Sequence, residues 1–373
     1  MSRRDPVLQA RAMVAPSPWA RCVLLLALLG ACSTEEPADA ATTPSTPAQA
    51  SAGAGSLESQ CVVGDAVDPY LRKSISDQAL SLLRSLREGK DDALWDELHP
   101  QARHEDQRKA FLGALASMRE RLTATGNVLV ERVDIVTLRG SGSSVAVIEC
   151  GEKQDPKRFT FLTNAGGEDV AIVTLRSDSR GTSFATTVQL RKRGDRWRLL
   201  GLHASPSTYR GRDAAAYESM ADAAMGRQRV VAAHMLLGVA KLLSDRGASV
   251  KTDIHDRVTQ KLVSIERDQL FVAETATWSL GEARFNIQAL SLVATADGVS
   301  PVFEYISPQG LVKDLLDRDA DMLIAEVRRR FPDLAKHFDT VVFEAYAEVP
   351  NEPGQSYQAY RVVRFLDPSK RRG

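Results

Sequence analysis

The 373-residue sequence lacks the short motifs of several common catalytic sites. It contains no Gly-x-Ser-x-Gly turn that would present a nucleophilic serine, no His-Glu-x-x-His zinc motif, no glycine-rich phosphate loop and no Cys-x-x-Cys pair. Its six histidines are scattered, so the sequence predicts neither a metal site nor a cofactor. These absences favour a protein without enzymatic activity, although they do not exclude an active site that carries no motif.

Charge of one sign is also lacking, because 48 lysines and arginines balance 48 aspartates and glutamates. Residues 1–31 carry four arginines and one aspartate, so the rest of the chain has a formal net charge of −3. No stripe of basic residues stands out along the sequence. Affinity for phosphate backbones depends on clustered lysine and arginine. The sequence therefore argues against nucleic acid as a partner.

The apolar run at residues 23–29 is too short to span a membrane, since a helix needs about 20 residues to cross the hydrocarbon core. Gly30 and Ala31 follow the run and directly precede Cys32. A basic segment, an apolar segment and a small-residue cleavage site form an export signal in that order. We therefore predict that residues 1–31 are a signal peptide; a start at Met13 is an alternative. The basic residues before the run are Arg3, Arg4, Arg11 and Arg21.

The tetrapeptide Leu29-Gly30-Ala31-Cys32 resembles the lipobox of bacterial lipoproteins. This resemblance implies that the Cys32 thiol is diacylated, that a lipoprotein signal peptidase then cuts before it, and that the new amine receives an acyl chain such as palmitate. Similarity to the Gram-negative sorting rule, with Ser33 after the cysteine, favours the outer membrane, with the body facing the periplasm. The alternative is an ordinary signal peptide with an incidental cysteine.

Four cysteines are present, and two of them remain for the folded body. Cys22 leaves with the signal peptide and Cys32 carries the lipid, which leaves Cys61 and Cys150. Exported proteins occupy an oxidising compartment, so we expect these two cysteines to form a disulfide. The alternative is a buried free Cys150 on a strand and an unrelated Cys61.

Residues 32–60 are rich in alanine, threonine, proline, serine and glycine and contain no aromatic side chain. Such a segment cannot bury enough apolar surface to offset the entropy lost on ordering, so we predict a disordered tether. The roughly 310 residues that follow exceed the size of one typical core, which predicts two domains.

The first predicted domain covers residues 61–210. Apolar residues at helical spacing predict three helices, one ending at Gly89, one containing Trp95 and ending at Pro100, and one ending at Gly126. The period then changes from 3.6 to 2, which is typical of strands. Helices followed by an antiparallel sheet give an α+β fold. The predicted strands cover residues 128–138, 145–150, 158–163, 170–176, 184–190 and 197–203.

This order of elements, together with the hairpin Gly194-Asp195-Arg196-Trp197-Arg198-Leu199, resembles the NTF2-like, or cystatin-like, cone fold over residues 68–206. The resemblance implies a pocket enclosed by the sheet and the helices, which some relatives use for catalysis and others for binding or dimerisation. An enzyme of this fold needs acid and base groups inside the cone. A pocket of Trp95, Asp134, Trp197 and His203 is one hypothesis; the favoured alternative has Arg132 paired with Asp134 on a solvated strand end and His203 at a rim.

Residues 211–270 are predicted to be a helical connector, with helices over 214–225 and 228–243 and a third containing Ile254 and Ile265. We expect this spacer to pack on the first domain. Residues 271–368 are predicted to form a second α+β unit in the order strand, strand, helix, strand, strand. Its strands cover 284–294, 302–306, 340–349 and 357–366, with the helix over 311–331.

These patterns favour a lipid-anchored envelope protein with a non-enzymatic binding or scaffolding role. Its partners would be the membrane, through the lipid on Cys32, and a protein of the envelope. The alternative hypothesis is a small-molecule binder or hydrolase that uses a pocket in the cone.

Overall fold

The structure, a computed structural model, describes residues 15–16, 58–122, 126–139, 145–152, 155, 158–164, 167–179, 182–266, 277–295, 298–348 and 356–372. Cys32, nearly all of the predicted signal peptide and the predicted tether up to residue 57 lie outside these residues. Within the predicted signal peptide, Ala15–Pro16 pairs antiparallel with Ser356–Tyr357. No helix in the described part of the chain is long and apolar enough to cross a membrane.

Three helices follow the first strand of the first unit, as the spacing of apolar residues predicted. They are α1 (Pro69–Arg87), α2 (Asp91–Asp96) and α3 (Arg108–Leu122). Asp68 caps α1, since its Oδ1 accepts hydrogen bonds from the N–H groups of Tyr70 at 3.0 Å and Leu71 at 2.9 Å. The buried face of α1 consists of Ile75, Ala79, Leu82, Leu83 and Leu86.

The first unit contains a five-stranded antiparallel sheet in the spatial order β1, β2, β5, β6, β7; β1 precedes the helices in the chain and the other four strands follow them. Strand β1 was not predicted; its first three residues belong to the segment that we assigned to the tether. Two further strands, β3 and β4, leave this sheet and pair with each other. The bounds are β1 Glu58–Val63, β2 Val128–Arg139, β3 Val145–Cys150, β4 Phe159–Asn164, β5 Val170–Ser179, β6 Thr182–Arg193 and β7 Arg196–Pro206.

The space between the three helices and this sheet is filled with apolar side chains. Leu83 and Leu94 from the helices pack in one cluster with Val133, Val173 and Leu199 from the strands, and each is almost fully buried. The side of the sheet on which a cone would hold its pocket is therefore a packed core in the described residues.

A smaller core on the opposite face contains the disulfide. Cys61 and Cys150 are joined by an S–S bond of 2.08 Å, which confirms the predicted pairing and excludes the free thiol. The bond links β1 of the main sheet to β3 of the smaller one. Around it pack apolar residues of both sheets, with Val250 from strand β8 (Val250–Thr252), which pairs with β4.

The second unit combines helices α4 to α8 with another five-stranded sheet, in the spatial order β9, β10, β11, β12, β13. Strands β11 and β12 are parallel and are connected through helix α7; the other neighbours are antiparallel. The predicted order of elements is present, with β9 as an additional first strand. The bounds are α4 Ala214–Met225, α5 Val230–Ser244, α6 Asp253–Ile265, β9 Thr277–Leu280, β10 Ala283–Thr295, β11 Gly298–Ile306, α7 Lys313–Arg330, α8 Leu334–His337, β12 Thr340–Tyr346 and β13 Ala359–Phe365.

Helices α4 to α6 share one hydrophobic core with the C-terminal sheet, and their region also contacts the first unit through β8, so our expectation that it packs on the first domain describes only part of its contacts. Met235 and Leu243 of α5 belong to the same buried cluster as Phe303 and Phe343 of the sheet. Gly238 allows α5 to pack closely against β10, because a Cβ atom at this position would lie 2.7 Å from Cδ1 of Leu292. Both units have helices and mostly antiparallel sheets, so the predicted α+β class is confirmed.

Candidate binding site

The four residues of the hypothetical cone pocket lie on two faces of the first sheet. Trp95 is buried in the helix-side core, with its ring centroid 5.6 Å from that of Phe111, and Trp197 packs against the same core. Asp134 and His203 lie on the other face. The structure therefore does not bring these four side chains together in one pocket.

Strand alternation and one β-bulge explain this separation. The neighbours of Asp134, Val133 and Ile135, are in the helix-side core, so Asp134 points away from it. Simple alternation places His203 on the same face as Trp197. However, Leu190 pairs with Leu199 while Gln189 pairs with Gly201, which leaves one extra residue in β7 and reverses the faces beyond it.

Asp134 forms a buried ion pair instead of the solvated one that we favoured. Arg132 Nε lies 2.7 Å from Asp134 Oδ1, and Asp134 is only 2 % exposed. The Gly64 N–H also donates to Oδ1, at 3.1 Å. Burial raises the pKa of Asp134, while Arg132 and the Gly64 N–H act in the opposite direction. The pair holds two strand residues in the wall of a cavity.

This cavity, of about 510 Å³, lies between the outer face of the first sheet and helices α4 to α6. Its volume is typical of small-molecule sites, which often lie at interfaces between structural units. The first unit contributes Glu131, Arg132, Asp134, Asp155, Phe159, Ile172, Thr174 and Ser207; the second contributes Asp213, Ala214, Ala215, Leu243, Ser244, Arg246, Val250, Thr252, Asp253, Ile254 and Arg257. The wall thus combines apolar surface with acidic and basic side chains.

His203 and Asp245 lie beside this cavity, at the end of α5. His203 Nε2 is 3.2 Å from Asp245 Oδ2. Burial alone would raise the pKa of Asp245, but His203, the Gly247 N–H and the more distant His255 together lower it to about 2. Gly247 has φ +96°, and a Cβ there would approach His203 Cβ to 3.0 Å. Asp245 therefore fixes the turn that leads into the cavity wall.

Ser244 and His255 resemble a nucleophile and its base only superficially. Ser244 Oγ lies 3.4 Å from His255 Nδ1 but donates to the Lys241 carbonyl at 3.0 Å. The hydroxyl proton of Ser244 is thus donated to a backbone carbonyl at the end of α5, whereas an activated serine donates its proton to the base. This geometry supports a structural role for Ser244.

No relative of the chain is found. No family model matches it, and no curated protein or solved structure matches it either. Among the described residues, no group of three or more histidine, cysteine, aspartate or glutamate side chains is placed to hold a metal ion. The cavity between the two units is therefore the candidate site.

Sequence reasoning missed the second wall of this site. Arg246 and Arg257 come from the region that we treated as a spacer. The segment Asp245-Arg246-Gly247, directly after an apolar helix, was the available signal, since an Asx turn and a positive-φ glycine commonly end helices.

We expect His255 to make the protein less stable at mildly acidic pH. Burial lowers the pKa of His255 from 6.5, and Lys241 lowers it further, while Asp245 and Asp256 partly oppose this. The unfolded chain then binds a proton before the folded one does, so the free energy of unfolding falls as the pH drops below about 6.5. His255 contributes at most about 1.4 kcal/mol per pH unit to the slope of the free energy of unfolding against pH.

Chemical unfolding between pH 7 and 5 checks this expectation. His255→Asn should weaken the dependence on pH, whereas His104→Asn, at an exposed position, should leave it unchanged. Equal slopes for the wild type and His255→Asn would show that His255 does not contribute.

Proposed function

We propose that the chain is a bacterial lipoprotein, anchored through lipid on Cys32, whose body lies in the periplasm at the outer membrane and has a non-enzymatic binding or scaffolding role. The observation that carries the proposal is the Cys61–Cys150 disulfide, because disulfides form and persist in oxidising compartments outside the cytoplasm. It agrees with the export signal and lipobox pattern in residues 1–32. A flexible tether from Cys32 to Glu58 would have a root-mean-square reach of roughly 30 Å, enough to hold the body clear of the membrane.

An NTF2-like cone for the first unit belongs to the same proposal. Three helices precede four of the five strands of the antiparallel sheet, and the late hairpin turns at Gly194, which has φ +59°. The hairpin of β3 and β4 departs from a single meandering sheet, since it pairs with β8 of the second unit. A cone of this kind with a filled interior would serve as a rigid scaffold.

The edge of the second sheet is the surface that we propose for an envelope protein partner. In the described part of the sheet, strand β13 pairs only with β12. Val363 and Phe365 alternate along β13 and remain exposed, at 44 % and 41 %. Exposed apolar residues on an edge strand suit recognition by strand addition.

Photocrosslinking in living cells tests the scaffolding role. A photoreactive amino acid at Phe365 should give a discrete heavier species, whereas the same probe at Asp77, exposed on α1, should give none. Recovery of uncrosslinked monomer alone from both positions would contradict the proposal.

A second candidate function, binding of a small molecule, is favoured by the cavity between the units. The site differs from the predicted one, since the cone interior is packed and the cavity lies on the opposite face. Hydrolysis receives no support from Ser244, whose proton goes to a backbone carbonyl.

A further inference from the structure

Arg246 differs from the other two arginines of the cavity wall because it forms no ion pair with an acidic residue in the part of the chain that the structure describes. Arg132 pairs with Asp134, and Arg257 binds Glu218 through Nε at 2.8 Å and Nη2 at 2.7 Å. Within the described residues, no carboxylate oxygen lies within 4.0 Å of the Arg246 guanidinium. Among the described residues, this cation of the wall therefore has no carboxylate in direct contact, although Glu131 and Asp245 attract it from a distance.

The guanidinium of Arg246 is nonetheless held in place. Its Nη1 donates to the carbonyls of Asp245 at 2.7 Å and Leu243 at 3.0 Å and lies 3.5 Å from Ser205 Oγ. In the described structure Nε and Nη2 make no hydrogen bond, and neither is a fully buried atom without a partner. These two donors can therefore bind a planar carboxylate in the cavity as a fork.

Partial burial of Arg246 favours an anion beside it. It lowers the pKa of Arg246, which means that the surroundings disfavour its charge, and the attraction of Glu131 and Asp245 offsets this only in part. A buried charge without a partner is unfavourable. A bound carboxylate would offset this penalty through charge-assisted hydrogen bonds to the guanidinium.

The rest of the wall restricts which anion fits. Five acidic side chains line the cavity against three arginines, so a dianion such as phosphate is repelled. Glu131 and Asp155 line the cavity on the side of the first sheet, and although Asp155 Oδ2 lies 4.0 Å from Arg132 Nη1, the negative charge of the two side chains can attract a cationic group. Phe159, Leu243 and Ile254 supply apolar contacts.

We propose that this cavity binds a short zwitterionic peptide with apolar side chains, whose terminal carboxylate is held by Arg246 and whose ammonium group faces Glu131 and Asp155. Binding of this peptide in the cavity does not depend on the lipid anchor.

Calorimetric titration of the full chain in detergent tests the proposal with the dipeptide Leu-Leu, its C-terminal amide and its N-acetyl derivative. We expect Leu-Leu to bind and each modified form to bind about tenfold more weakly, the change expected for about 1.4 kcal/mol. Equal affinity of the acid and the amide, or tighter binding of inorganic phosphate, would contradict the proposal. Absence of Leu-Leu binding at millimolar concentration would also overturn it.

Two matched variants test the role of Arg246 itself. Arg246→Gln should weaken Leu-Leu binding about tenfold or more, whereas Arg198→Gln, at an arginine of β7 that lies outside the cavity lining and pairs with Glu97, should change it by less than about twofold. Far-ultraviolet circular dichroism identifies a variant that has not folded, and the three wild-type titrations do not depend on either variant. Unchanged affinity in folded Arg246→Gln would refute the assignment.

Discussion

Replacement of Cys32 by serine should abolish the incorporation of a labelled fatty acid and leave residues 1–31 attached to the protein. Lipid transfer needs a thiolate, and a serine hydroxyl is a much weaker nucleophile. The lipobox resemblance further implies that the signal peptidase cuts only after diacylation, so an unmodified precursor persists. We therefore expect loss of essentially all label and a mass larger by the signal peptide. Labelling with alkynyl palmitate followed by gel analysis measures both effects.

Cys22→Ser is the matched control, because it removes the other cysteine near the signal and leaves the lipobox intact. Its label and processing should match those of the wild type. Full labelling of Cys32→Ser would show that lipid is attached elsewhere and would remove the basis for an anchored protein. If only Cys22→Ser lost its label, the lipid would be attached to Cys22 and not to Cys32.

Loss of the Cys61–Cys150 disulfide should destabilise the body by about 4–5 kcal/mol. In the chain-entropy model this follows from the sequence separation of 89 residues, since a long loop gains much entropy in the unfolded chain once the bond is absent. A typical domain has a free energy of unfolding of about 5–15 kcal/mol, so this is a large part of the total. The double variant Cys61→Ala with Cys150→Ala should unfold at a clearly lower denaturant concentration.

Reductant provides the internal control for this experiment. It should lower the unfolding midpoint of the wild type to that of the double variant and leave the variant unchanged. The bond ties β1 to β3, whose partner β4 carries Phe159 of the cavity wall. An unfolding midpoint that is the same in the wild type and the double variant would mean that packing alone holds the two sheets together.

Local patterns predicted the elements of this fold better than their packing. The apolar spacing from Ile75 to Leu86 is sufficient for a helix, and alternation is sufficient for the strands. Strand β1 was missed because its first residues, Glu58 to Gln60, are polar and continue a tract of low complexity. Small residues such as Gly238 indicate close helix packing, but they do not show which unit provides the contact.

The candidate site was the part that sequence reasoning predicted least well. A single bulged residue in β7 moves His203 to the face opposite Trp197, and nothing in the sequence marks its position. Arg246 is recognisable only once its neighbours are known, because its importance lies in the absence of a carboxylate beside it in the described structure. Only the fold brings together β2, β4 and the three helices that form the wall.

The central claim is tested most directly by the mass of the N-terminal peptide of the protein isolated from envelopes. A glutamate-specific protease would release the peptide that ends at Glu35. The account predicts that this peptide begins at Cys32 and carries a thioether-linked diacylglycerol and an acyl group on its amine. A peptide with an unmodified Cys32 thiol, or one that begins at another residue, would contradict it.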